Sequence, residues 1–483
     1  SNISITAGQD DFASGKGNRT GSTFARATLQ ANNKTNTATA NYYMYLNIET
    51  NTFTYTNTGT PELVLQVINK TTGTPITSIT GLVYKTVTDG KNTTISGFDI
   101  TNKSGLITIL NNKEISASPK TIEEYTITIT FINHNYDQNI NAGKSFNSKV
   151  IIQKERLITS VSDVAKSGDN LVTAIQNLST KSKPSYTGLY HHDASLTNGA
   201  GDNSYRFAGA DPNNYVCFGS DDTICPHENL YRIIGLIDGK VKLISADGAT
   251  TDMLGTDEGY VNTYQAANRR YSSYYKGNGD LTKIGSYKWN IAGDNTWSTS
   301  TTNTTNLNKN FLAYLDGKNA KWKKMIADIT WYVGGITRAN GHNSNAKTAY
   351  DYEVGANKDT TTTVTSKIGM MYVSEYYYAA SKDYWTLPGA NNEGNDYRTA
   401  VNDNWLYTGL YEWAISRYSV GSDDAYGVSG GGFIVGDAVD DSNGIAVRPS
   451  FSLSSSIKFT SGEGTRNSPI RIADWRKVLK KHR

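Results

Sequence analysis

The sequence predicts a mainly β protein with an α+β part: a β-sandwich followed by a larger mixed domain. Three observations carry this expectation. The chain is rich in Tyr (32 residues) and in uncharged Asn, Thr and Ser, which suit strands and turns better than long helices. Short runs of Val, Ile, Thr and Tyr fill residues 40–155, several with period-two alternation and separated by Gly, Asn, Asp or Pro. Helical spacing of apolar residues begins after them, at Leu157. At 483 residues the chain is long enough for about three compact units or two larger ones.

Residues 1–40 are rich in Gly, Asn, Thr and Ser and show almost no apolar periodicity, so they read as an extended segment that cannot make its own core. Such a segment is a candidate donor strand, completing the sheet of its own domain or of another subunit. Residues 41–156 then supply "YYMYLNI", "TFTYTN", "ELVLQVI", "GLVYKTV", "LITIL", "EEYTITITFINH" and "SFNSKVIIQK", the strands expected of one Ig-like antiparallel sandwich. The closing stretch "EYTITITFINHNYDQNINAGKSFNSKVIIQKE" resembles the amino-terminal β-domains of secreted Firmicutes and Mollicutes-type surface proteins, and more loosely matrix fibre proteins of the TasA and camelysin type. In residues 157–184, Leu157, Ile158, Val161 and Val164, then Leu171, Val172, Ile175 and Leu178, predict two short helices or one kinked helix, broken at "SGDN" and ending before Pro184.

From Gly188 the text becomes distinctive. "LYRIIGLI", the turn "DG" and "KVKLISA" predict a hairpin. "KWKKMIADITWYVGG", "SKIGMMYVSEYYYAA", "YWTLPG", "YEWAIS", "AYGVSGGGFIV" and "GIAVRPSFSL" follow in order. This series, in residues 185–472, resembles a recurrent family of bacterial surface domains and, in its back half, the C-type-lectin fold of formylglycine-generating-enzyme relatives. Trp385, Leu387 and Pro388 match the family's "WRLP", Glu412 with Trp413 its "EW", and Gly444 with Arg448 its closing glycine and arginine. The resemblance implies that these residues build the fold. Catalysis is not implied, because the copper-binding cysteines of the enzymes are absent after Cys225, and the calcium-lectin triplets Glu-Pro-Asn and Gln-Pro-Asp are missing.

Several local features are candidate sites. Cys217 and Cys225 enclose "FGSDDTI", a spacing a single disulfide closes if the strands turn back; two reduced thiols of a cytosolic protein are the other reading. "HHD" at His191–Asp193 offers imidazoles and a carboxylate, but adjacent strand residues face opposite ways. Asp437, Asp440, Asp441 and Asn443 present oxygen donors in one turn, a weak Ca2+ candidate set beside the reading as Asx-capped turns. No other cofactor is expected. Tyr397, Trp405, Tyr407, Tyr418 and Tyr426 lie in loops that mix aromatic with small polar residues, the composition of adaptable binding faces, and are the candidate ligand contacts. Residues 473–483 end in a basic amphipathic pattern, with Arg476, Lys477, Lys480, Lys481 and Arg483 around Trp475, Val478 and Leu479.

Lys and Arg total 47 against 44 Asp and Glu, a formal charge of +3, which argues against a dedicated nucleic-acid binder. No apolar run is long enough for a transmembrane helix. The chain begins at Ser1, consistent with removal of a signal segment or with trimming, and secretion fits the composition better. The expected function is therefore that of a non-catalytic extracellular surface protein, a sandwich stalk displaying a domain that binds a glycan or protein on another surface. The alternative is a structural subunit of an extracellular filament, in which copies of the chain join by strand addition.

Overall fold

In a computed structural model, residues 1–8, 17–264, 274–392 and 394–474 are described. The fold is mainly β with several sheets and some α+β character. The chain divides into two compact units, Ser1–Leu157 and Ile158–Arg483.

Among its described residues, unit one holds ten strands: β1 (Asn2–Thr6), β2 (Arg19–Gln30), β3 (Ala38–Asn51), β4 (Leu63–Asn69), β5 (Thr74–Pro75), β6 (Tyr84–Thr88), β7 (Thr94–Asp99), β8 (Gly105–Ala117), β9 (Lys120–Phe131) and β10 (Ser145–Gln153). One sheet runs β1-β10-β3-β8; the other runs β2-β9-β4-β7-β6, with β5 beside β4. Period-two alternation sets which side chains point inward. Tyr42, Met44, Leu46 and Ile48 of β3 meet Leu63, Leu65 and Val67 of β4 and Tyr125, Ile127, Ile129 and Phe131 of β9 in one apolar core.

Two expectations need correction here. The first forty residues are not a separate segment. β1 pairs with β10 from Asn2↔Lys149 to Thr6↔Ser145, and β2 pairs along its whole length with β9, from Arg19↔Phe131 to Gln30↔Lys120. Ile3, Ile5 and Ala25 are buried in the unit's own core. β2 is hard to see in sequence because Gly, Ala and Thr occupy much of it, so its alternation has little hydrophobic contrast. Conversely, "TFTYTN" is not a strand. Phe53 anchors it in the core, while the Thr54 and Thr56 amides donate to the side chains of Asn141 (3.0 Å) and Glu62 (2.9 Å) instead of to a neighbouring strand.

Unit two absorbs the connector. Its helix is Leu171–Lys181, capped by the Asn170 side chain accepting from the Thr173 amide, and Leu171, Ala174, Ile175 and Leu178 are buried. The preceding residues form a single tight turn, Val161–Asp163, in which the Asp163 carboxylate accepts from the Thr159 and Ser160 amides. The "DG" hairpin joins Leu230–Ile237 to Lys240–Ser245, with Asp238 (φ 49°) and Gly239 (φ 70°) both left-handed, as a tight primed turn requires. That hairpin sits inside a sheet whose order is Leu189–His192, Ser204–Phe207, Leu230–Ile237, Lys240–Ser245, Ser450–Ser452 and Ile368–Gly369, with Tyr215–Cys217 also paired to Leu230–Ile237. A second sheet runs Tyr260–Thr263, Gly285–Tyr287, Ile445–Ala446, Glu412–Arg417, Asp424–Val428 and Ile434–Ala438. A π-helical stretch, Thr302–Phe311, leads into the helix Leu312–Lys318 and then Ala320–Met325. Among the described residues, no helix is long and apolar enough to cross a membrane.

Candidate functional site

Glu412 and Trp413 open a central strand of the second sheet, and both are fully buried. The Arg448 guanidinium donates to both Glu412 carboxylate oxygens at 3.2 Å, and to the carbonyls of Leu406 (2.8 Å) and Ser245 (2.9 Å). Burial pushes the Glu412 carboxyl above its ordinary range and Arg448 pulls it back. The Trp413 indole donates to the Tyr287 carbonyl at 2.9 Å, and the Trp385 indole to the Ala380 carbonyl at 2.9 Å. Pro388 is half-buried, and Gly444 has φ 64° with no room for a side chain against Val261 and the 286–287 backbone. These groups meet one another and the main chain, an arrangement that ties loops to sheets.

Of the five proposed contact residues, four are corrected by their burial. Tyr397, Trp405, Tyr407 and Tyr426 are buried, and Tyr418 is half-buried. The Tyr397 hydroxyl donates to the Tyr377 carbonyl (2.8 Å), the Trp405 indole to the Phe207 carbonyl (2.8 Å), and the Tyr407 hydroxyl to the Gly430 carbonyl (2.7 Å). Their loops fold inward because a Tyr or Trp ring buries a large apolar area once its polar tip finds a backbone acceptor. Composition alone did not distinguish this from an exposed binding face.

In the proposed calcium loop two of the carboxylates meet protein donors. Asp437 accepts from the Tyr411 hydroxyl at 3.0 Å, and Asp441 accepts from the Asn443 amide at 2.7 Å, a turn-capping bond. Asp440 stands in the same turn. Among the described residues, no three His, Cys, Asp or Glu side chains form a metal-holding group. In "HHD", His191 stacks on Tyr205 at 4.3 Å while His192 is buried, its Nδ1 accepting from the Ala200 amide at 3.0 Å. The basic stretch 475–483 lies outside the described residues.

The structure presents two features that the sequence did not single out. The first is a polar cluster: Asp247, almost fully buried, accepts from the Tyr275 hydroxyl, from the Gly279 amide (3.0 Å) and from His227 Nε2 (3.1 Å). Burial pushes the Asp247 carboxyl up, but the hydrogen bonds from His227 and Tyr275 outweigh it and hold the group below the carboxylate range. The cluster fastens the 275–279 loop to the sheet.

The second is a groove of about 650 Å3 beside the loop closed by Cys217 and Cys225, which are disulfide-bonded. The Cys217 amide donates to the Ile470 carbonyl (3.0 Å) and Asn229 Nδ2 to the Phe218 carbonyl (3.0 Å), so the loop is held at its base as well as by sulfur. Its tip, Ser220–Thr223, forms part of the groove wall. Lys321 and Trp322 come from the short helix Ala320–Met325, which is capped by the Asn319 side chain. Trp322 packs edge-on against Phe218 at 5.1 Å, and Lys321 pairs with Asp221, another lining residue. The terminal strand Arg471–Ala473 supplies Arg471, which donates to the carbonyls of Thr223 (3.1 Å) and Ser220 (3.5 Å). A smaller concavity of about 210 Å3 adjoins it, sharing Ser220, Asp221, Asp222 and Trp322 and adding Lys318 and Asn319. The cysteine pair pointed towards this place in the sequence, but its other walls are more than ninety residues away along the chain.

Fold and groove together define a two-unit, mainly β chain with a concave, disulfide-walled surface on its larger unit. Comparisons with protein-family profiles, with curated proteins and with solved structures found no match.

Proposed function

We propose that this chain is an extracellular recognition protein without catalytic activity, in which a β-sandwich presents a C-type-lectin-like domain that binds a glycan or protein. The observation that carries the reading is the groove beside Cys217–Cys225, a concave surface mixing apolar, hydroxyl, carboxylate and ammonium groups on a loop fixed by a disulfide. A disulfide also suits an oxidising compartment. The lectin-like likeness draws support from the burial of Trp385, Glu412, Trp413 and Arg448, the positions it assigns to fold-building. Screening the full chain against immobilised glycans and peptides tests the reading, with Thr223→Trp placed to fill the groove. A ligand bound by the parent and lost in the variant supports it. A substrate turned over by the purified chain would overturn it.

The second reading is a filament subunit joined by strand exchange. It draws on β1, a five-residue strand at a sheet edge whose Ile3 and Ile5 fill the core. The same contacts are available to the β1 of another copy. Negative-stain microscopy of the full chain beside a chain lacking residues 1–7 decides between them. Fibres formed by the first and lost in the second favour assembly, and discrete particles from both favour recognition alone.

A further inference from the structure

The groove beside the disulfide loop lies at a fork between two strands. Ile470 joins Tyr215–Cys217 through a parallel bridge to Val216: its amide donates to the Tyr215 carbonyl (2.8 Å), and its carbonyl accepts from the Cys217 amide (3.0 Å). Successive residues of a strand turn their main-chain groups to opposite sides. Arg471 and Ala473 face the ladder with Lys458–Ser461, where their register partners are Ser461 and Lys458. Ile472 therefore turns its N–H and C=O the same way as Ile470, to the side where Tyr215–Cys217 has ended. Cys217 and Ile472 both line the groove, so the fork opens into it.

The side chains add a second constraint. Lys321 is paired with Asp221, and Arg471 donates to the carbonyls of Ser220 and Thr223. Asp222 and Lys324 also line the groove, both are exposed, and neither has an ion-pair partner among the described residues. One carboxylate and one ammonium are thus left for a ligand. Trp322, the aromatic residue of the lining, is 3% exposed with its ring edge-on to Phe218, so it offers no open face for a sugar ring to stack on.

We infer that the groove binds an extended peptide segment of another protein. This rests on the recognition reading and narrows its ligand from glycan or protein to protein. The segment lies alongside Arg471–Ala473, accepting from the Ile472 amide and donating an N–H to the Ile472 carbonyl, as an added strand does. A basic side chain of the segment meets Asp222 and an acidic one meets Lys324. A lining that mixes carboxylates with cations suits such a segment better than a polymer of one charge sign.

The test pans a displayed library of linear peptides on the full chain, and then measures synthetic copies of the enriched peptides by titration calorimetry. The enriched peptides are expected to share one basic and one acidic residue. Methylating a single backbone nitrogen of the peptide, at the position that pairs with Ile472, is expected to weaken binding by about tenfold. Asp222→Lys/Lys324→Asp, with thermal unfolding matched to the parent's, is expected to enrich peptides with the two charges in reversed order. Unchanged charge order in that variant would overturn the inference, as would affinity indifferent to every backbone methylation. Binding gained only when the chain is ended at Asp474 would overturn it in favour of residues 475–483 as the occupant. A glycan bound by the parent and lost in Thr223→Trp, with no peptide enriched, would overturn the peptide ligand and leave recognition standing. A chain that binds no peptide and no glycan would overturn both.

Discussion

Glu412 lies beside Arg448, and both side chains are almost fully buried. Removing one member of such a pair strands the other, at a cost of about 3–5 kcal/mol. Glu412→Ala is expected to lower the urea-unfolding free energy of unit two by that amount, and Glu412→Gln, which keeps an acceptor for Arg448, by less. His192 makes a second residue-level prediction. Burial, reinforced by the nearby Arg206 charge, lowers its pKa to about 3 from an ordinary 6.5. The unfolded chain therefore binds the proton first. Stability from this group is complete above pH 6.5, and it is lost as pH falls towards 3, amounting to about 2 kcal/mol by pH 5. Urea midpoints measured from pH 7 to pH 5 should fall in the parent and fall less in His192→Gln.

The disulfide loop belongs to the scale of elements. Its cysteines are eight residues apart, so the cross-link closes a short loop and is expected to contribute about 2 kcal/mol, near the low end for disulfides. Cys217→Ser/Cys225→Ser should lower the melting temperature of unit two and loosen the groove wall at Ser220–Thr223, weakening any groove ligand while the sandwich is unaffected. Strand-level features divided by contrast. The hairpin at Asp238–Gly239 and strands β3, β4 and β9 were legible because strongly apolar residues alternate within them or their turn demands Asp-Gly. β2 was not, because Gly21, Ala25 and Ala27 leave little contrast between its faces.

For the molecule as a whole, each unit has its own apolar core, one around Leu46, Leu65 and Ile127 and the other around Ile233, Trp413 and Phe451. Separate cores predict separate folding. Fragments 1–157 and 158–483 should each unfold cooperatively in calorimetry, and coincident loss of structure on separating them would contradict that.

What the sequence by itself determined is the β-rich class, the Asp238–Gly239 turn, and a Cys217–Cys225 spacing that one disulfide can close. It determined them because alternation, turn chemistry and cysteine spacing are local properties that neighbouring residues carry. Only the tertiary structure decided which aromatic residues face water. A Tyr such as Tyr397 suits a binding face and a core equally, until a partner carbonyl such as that of Tyr377 arrives from another segment. The groove is likewise tertiary, because Ser220, Trp322 and Arg471 meet through contacts separated by a hundred residues or more, and no local pattern records that meeting.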